Sequence, residues 1–164
     1  MQHLTLMDRS RIERTIQRLA IQVWEQMSEA EELIVIGLNE RGFACAKSLV
    51  KAMEKYEHPD LKLHQFNVKD KGQNTPIPNC TEKHVLIVDD VIFSGKTMFN
   101  ALSTICFSNE PKKIEVLTLV DRGHRMYPVL SELSGIEVPT KFGEHIEVIL
   151  DKGVLDQVVL FKNN

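Results

Sequence analysis

An α/β architecture, with a mostly parallel central sheet flanked by helices, is predicted by three observations. Apolar runs rich in branched residues recur at 33–37, 84–88 and 114–120 without polar alternation, as in strands covered on both faces. The first two are each followed by a polar turn and an amphipathic helical pattern. Such strand–helix alternation implies parallel strands joined by crossover helices. At 164 residues, one domain spanning 1–164 is expected.

Along the chain, Ile12, Ile16, Leu19, Ala20, Val23 and Met27 recur at helical spacing, with Asp8 or Ser10 as the candidate cap. Arg11, Arg14 and Arg18 lie on the other side, which reads first as a solvated face and second as a stripe for RNA. Leu33 to Gly37 predicts a strand, followed by a polar turn and a helix through Phe43, Ala46, Leu49, Val50 and Met53. Leu61 to Phe66 alternates weakly as a strand, and the polar stretch holding Gly72, Pro76 and Pro78 reads as loop. The pattern then repeats, with a strand from His84 to Val88, a turn from Asp89 to Gly95, a helix from Lys96 to Phe107 and a strand from Ile114 to Val120. Beyond Tyr127, His145 to Leu150 and Val158 to Phe161 predict short strands forming an edge or a small C-terminal hood.

Composition narrows the class. Hydrophobic content of 43% and charged content of 26% are those of an ordinary globular protein. No apolar run approaches the roughly 20 residues of a spanning helix, and the N-terminus is polar, so a cytoplasmic protein without a membrane partner is expected. Cys45, Cys80 and Cys106 lack CxxC spacing and neighbouring histidines, and they read as free thiols. A formal charge of −3 provides no general attraction to nucleic acid.

Ligands of parallel sheets bind at the carboxyl ends of the strands, so the loops after Gly37, Val88 and Val120 are the places to look. The strongest signal is VLIVDDVIFSGKT, residues 85–97. A buried strand here delivers Asp89 and Asp90, then a small-residue turn opens a helix. Helix-opening N–H groups and two hydroxyls make Ser94-Gly95-Lys96-Thr97 a phosphate cradle, with Gly95 allowing close backbone approach. Asp89 and Asp90 suit the vicinal hydroxyls of a ribose and a magnesium ion, held directly or through water. A P-loop is excluded, because its first glycine would fall at Asp90.

Residues 85–97 resemble the 5-phosphoribosyl 1-diphosphate motif of type I phosphoribosyltransferases. The run LVDRGHRMYP (119–128) and VPT (138–140) are similar to the pyrimidine operon attenuation protein and uracil phosphoribosyltransferase family. So are IVIGLNERGFACAKSL, NTPIPNCTEKHVLIVDD and the late VLDQV, so that the likeness covers most of the chain. The resemblance implies a type I phosphoribosyltransferase fold and transfer of phosphoribosyl from its diphosphate to a pyrimidine, expected to be uracil, with Mg2+. It implies a sugar-phosphate site formed by Asp89, Asp90, Val91, Phe93, Ser94, Gly95, Lys96 and Thr97. Asn39-Glu40-Arg41-Gly42 matches the family's diphosphate loop, and Arg41 supplies a guanidinium for the leaving group. Asp121, Arg122, Gly123 and His124 fall beside the base and the diphosphate; Arg122 is a second candidate for the leaving group, and His124 either a proton carrier or a hydrogen-bonding residue. Phe93 stands where 6-oxopurine transferases usually have an Asp, which speaks for a pyrimidine. A homodimer is expected, as is usual in the family.

Two departures accompany the likeness. Relatives that transfer uracil have a long mobile lid between the strand matching 61–66 and the acid-bearing strand, whereas here only residues 67–83 intervene. A shortened lid predicts slow catalysis, with Lys69 and Lys71 as partial substitutes. Ile136 and Glu137 replace the family's basic residue before VPT, which weakens the alternative of a nucleotide-sensing regulator that binds RNA.

Overall fold

The computed structural model describes every residue except Met1, Ser28, Glu29, Glu31, Gly72, Thr75 and Asn164. The loop assignment of Gly72 therefore lies outside the described residues. The chain opens with strand β1 (Gln2–Met7), followed by α1 (Arg9–Met27), β2 (Glu32–Leu38), α2 (Asn39–Met53) and β3 (Asp60–Phe66). A 3-10 turn (Val68–Asp70) and an irregular segment lead to β4 (His84–Ile92), α3 (Lys96–Ser108), β5 (Lys113–Asp121), β6 (Leu133–Glu137), β7 (Glu144–Asp151) and β8 (Val154–Lys162). No described helix is long and apolar enough to cross a membrane.

Five strands form a sheet in the order β3-β2-β4-β5-β6, every neighbouring pair parallel. The unalternating apolar runs find their cause here. Leu33 and Val35 of β2 and Leu86 and Val88 of β4 pack toward α1, α2 and the hood, in one core. Ile34, Ile36, Val85 and Ile87 point the other way, into a second core with Met98, Ala101 and Ile105 of α3. A strand buried on both faces has no use for polar alternation. Asp8 is the cap of α1, since its Oδ1 accepts the Arg11 N–H at 2.8 Å.

The expected C-terminal hood is a separate antiparallel sheet, β1-β8-β7, and its third strand comes from the other end of the chain. β1 escaped the sequence reading because its residues through Thr5 are exposed and only Met7 is buried, leaving little apolar signal. β6 escaped as well: LSGIE is five residues long with glycine at its centre. Two boundaries also move. β4 continues to Ile92 instead of turning at Asp89, because Asp89, Val91 and Ile92 pair with Thr118, Val120 and Asp121 of β5. The polar turn expected after Gly37 is the first turn of α2, which begins directly at Asn39.

Candidate active site

The sheet order changes direction between β2 and β4. The connection after β2 leads to β3 on one side, and that after β4 leads through β5 to β6 on the other. A crevice opens at such a switch, at the carboxyl ends of the two strands. It holds a cavity of about 340 Å³ walled by Leu38, Asn39, Glu40, Arg41, Asp89, Asp90, Val91 and Thr97. A smaller one of about 120 Å³, formed by residues 91–98 and Asp89, shares Asp89, Val91 and Thr97 with it.

The Asp89 carboxylate is held by a local bond. Asp90 donates its backbone N–H to Asp89 Oδ1 at 2.9 Å. Asp89 is only 7% exposed, and burial, followed by the Asp90 charge, pushes its carboxyl well above the ordinary aspartate range. Gly42 of α2 lies against this strand end, where an added Cβ would meet Val88 O at 2.8 Å and Asp89 Oδ1 at 3.0 Å. Cys45, one turn further along α2, is fully buried, and burial plus the charges of Asp90 and Asp89 push its thiol up. It is an unreactive support. Two adjacent acids opening on a polar cavity suit a magnesium ion, which takes few protein carboxylates and completes its shell from substrate phosphates and water. Among the described residues no group of three His, Cys, Asp or Glu side chains gathers to form a self-sufficient metal cage.

Asn39 sits in the left-handed region at φ 58°, which asparagine tolerates better than most residues. Its Oδ1 accepts the Val68 N–H at 3.1 Å and its carbonyl accepts Gln65 Nε2 at 3.2 Å. The start of α2 is thereby tied to the stub of the shortened lid.

At the phosphate turn, Gly95 has φ 83° and precedes α3. The Ser94 carbonyl accepts the N–H groups of Met126 and Tyr127 at 2.8 and 2.9 Å. Arg125 completes this clamp: it donates to Phe93 O at 2.9 Å, to Val129 O at 3.0 Å and to Asp121 Oδ2 at 2.8 Å. Sequence reasoning missed Arg125. Its place in the DRGHR run was visible, but its reach back to residue 93 was not.

The residues predicted near the base are brought together. The Arg122 guanidinium lies 4.0 Å from the Phe93 ring centroid, donates to Thr140 Oγ1 at 3.0 Å and to Glu144 O at 2.8 Å. Burial lowers its pKa. It thus links the phosphate turn to the first residue of β7 in the hood. His124, at φ 57°, stands edge-on to Phe93 with centroids 6.0 Å apart. Asp121 is used within its own loop, since Oδ1 accepts the Gly123 N–H at 2.8 Å and Oδ2 holds Arg125. Arg41 and Arg122 do not share a wall: Arg41 lines the acid cavity, and Arg122 stands over Phe93.

Residues 4–152 match the family described as phosphoribosyl transferase domain. The chain belongs to that family. Among curated relatives, the bifunctional protein PyrR of Synechocystis sp. is 36% identical over 98% of each chain. That of Macrococcus caseolyticus is 30% identical, over 90% of this chain and 91% of its own. Among solved structures, the hypoxanthine phosphoribosyltransferase of Trypanosoma cruzi superposes with a TM-score of 0.76 over 98% of this chain and 97% of its own, at 17% identity. A hypoxanthine-guanine phosphoribosyltransferase from Bacillus anthracis gives 0.70, at 25% identity, with 87% of each chain covered. The phosphoribosyltransferase fold expected from residues 85–97 is thereby borne out.

Proposed function

We propose that this phosphoribosyltransferase moves the phosphoribosyl group of 5-phosphoribosyl 1-diphosphate onto a pyrimidine, uracil being the favoured base. The observation that carries this reading is the juxtaposition of Asp89, Asp90, Arg41 and Thr97 around one polar cavity, at the point where the sheet order reverses. Asp89 and Asp90 accept hydrogen bonds from the ribose hydroxyls and hold the magnesium ion. A magnesium ion held there would supply positive charge against the diphosphate oxygens. Residues 94–97 bind the 5-phosphate through the N–H groups opening α3 and their hydroxyls. Asn39, Glu40, Arg41 and Gly42 line the diphosphate, where Arg41 offers a forked donor.

In the transfer, the bond between ribose C1 and the diphosphate oxygen breaks, its electron pair leaving with pyrophosphate, and a ring nitrogen of the base bonds to C1 and gives up its proton. Positioning and charge stabilisation suffice, and no side-chain nucleophile is needed. Phe93 supports the choice of base, since it presents an apolar ring, 42% exposed, at the position that carries an Asp in purine transferases. Arg122 is better placed to fix that ring than to meet the diphosphate, so within the pair first assigned to the leaving group the task falls to Arg41.

The free cysteines support a cytoplasmic setting, and a homodimer remains part of the reading. A second function, RNA-binding regulation of pyrimidine genes, is favoured by the word bifunctional in the names of the PyrR relatives. The test measures nucleotide and pyrophosphate together, with magnesium, phosphoribosyl diphosphate and a panel of uracil, cytosine, hypoxanthine and guanine. Uracil should give the highest kcat/KM. Faster transfer to a purine would overturn the assignment of the base. Binding of pyrimidine-operon leader RNA without turnover of any base would leave the regulator.

A further inference from the structure

A groove of about 920 Å³ lies between the lid stub and α3, on the far side of Asn39 and Thr97 from the acid pair. Its size is within the range of small-molecule sites. Lys69 and Lys71 enter it from the stub and Lys96 from the first turn of α3, and no carboxylate lines it. Elsewhere among the described residues Lys62, Lys83, Lys113 and Lys162 each pair with an acid, while others such as Lys47, Lys112 and Lys152 pair with none. Among the described residues, the ammonium groups of Lys69, Lys71 and Lys96 have no such partner. Three unneutralised, exposed cations facing one concavity make a local positive field in a protein of net charge −3, and such a field attracts an anion.

The far end of the groove is of a different chemistry. Phe107, in the last turn of α3, is 93% exposed, with its ring at the rim. Between the lysines and this ring lie Asn100 and Ser103, whose side chains carry both donors and acceptors. An anionic end, a polar middle and an aromatic platform match phosphates, a ribose and a stacked base, in that order.

We infer that this groove is a second nucleotide site, in which Lys69, Lys71 and Lys96 hold the phosphates of a nucleoside triphosphate and Phe107 stacks on its base. It does not need the acid pair, so it stands apart from the proposed transferase reaction. Because Asn39 and Thr97 border both spaces, its occupant also adjoins the diphosphate loop.

The probes are ATP, GTP, UTP, inorganic tripolyphosphate and a single-stranded RNA 12-mer, titrated calorimetrically into the full chain carrying Asp90→Asn, which weakens the acid-pair cleft. A triphosphate should bind at one per chain. Lys69→Ala with Lys71→Ala should weaken it at least tenfold, and Phe107→Ala several-fold, while Phe107→Ala leaves tripolyphosphate unchanged. All three substitutions are at exposed positions, and circular dichroism will verify that each variant is folded. Equal affinity for tripolyphosphate and nucleotides, indifferent to Phe107, would reduce the groove to a bare basic patch and overturn the proposal. So would displacement of the nucleotide, one for one, by phosphoribosyl diphosphate in the wild type. Tight binding of the RNA with none of the mononucleotides would transfer the groove to the nucleic-acid reading.

Discussion

At the residue scale, Asp89 shows how an active site spends stability. It is a buried carboxylate beside a second one, and nothing among its hydrogen bonds brings a positive charge to it. Its native carboxyl binds a proton more tightly than in the unfolded chain, so the contribution of this one group to stability is full below the ordinary aspartate pKa and is lost as pH rises through the raised native value. Asp89→Asn keeps an acceptor for the Asp90 N–H and removes one of the paired charges. Without magnesium at neutral pH this variant should melt about 2–4 °C higher, the response of a chain of this size to roughly 1 kcal/mol. The advantage should vanish near pH 4, and transferase activity should be lost. A lower melting temperature for the variant at neutral pH would mean that the carboxylate is compensated by contacts other than those described. The acids themselves were legible from sequence, because a charged pair ending an apolar strand has few structural excuses. The strain at Asn39 and the reach of Arg125 were not, since both depend on residues more than twenty positions away that meet only in the fold.

At the scale of elements, the segments read correctly were those whose pattern matches burial on both faces. β2, β4 and β5 announce themselves through runs of Leu, Ile and Val. β1 and β6, an edge strand of the hood and an edge strand of the main sheet, bury too few side chains to leave such a trace. The short lid is the element on which the rate should depend. With the connection shortened to residues 67–83, water is expected to reach the reacting centre, weaken each electrostatic contact and compete with the base. Slow uracil transfer accompanied by hydrolysis of phosphoribosyl diphosphate is the expected behaviour. A longer lid grafted after Val68 preserves the bond from Asn39 Oδ1 to the Val68 N–H and should raise the ratio of nucleotide formed to phosphoribosyl diphosphate hydrolysed. Fast transfer without hydrolysis in the wild type would show that the short cover is sufficient.

At the scale of the whole molecule, the acid pair and the phosphate turn of the β4–α3 unit meet the diphosphate loop of the β2–α2 unit, and the sheet order is what brings the two units together. A ligand touching all of them binds the native state alone. Phosphoribosyl diphosphate with magnesium at a hundredfold excess over its Kd should therefore add about 2.7 kcal/mol and raise Tm by roughly 5–10 °C. No shift at millimolar ligand would remove the binding claim. The hood has a different kind of unity. Its middle strand, β8, pairs with β1 in a register that sets Gln2 against Lys162, and Arg122 moors the loop after β5 to the start of β7. During synthesis on the ribosome, the five-stranded sheet has all its sequence once Glu137 has emerged, whereas β1 must wait unpaired until nearly the entire chain has been made. A nascent or prematurely terminated chain thus has the phosphate turn and both acids but lacks β8, the strand that joins β1 to β7, so the hood on which Arg122 is anchored closes only with the last strand.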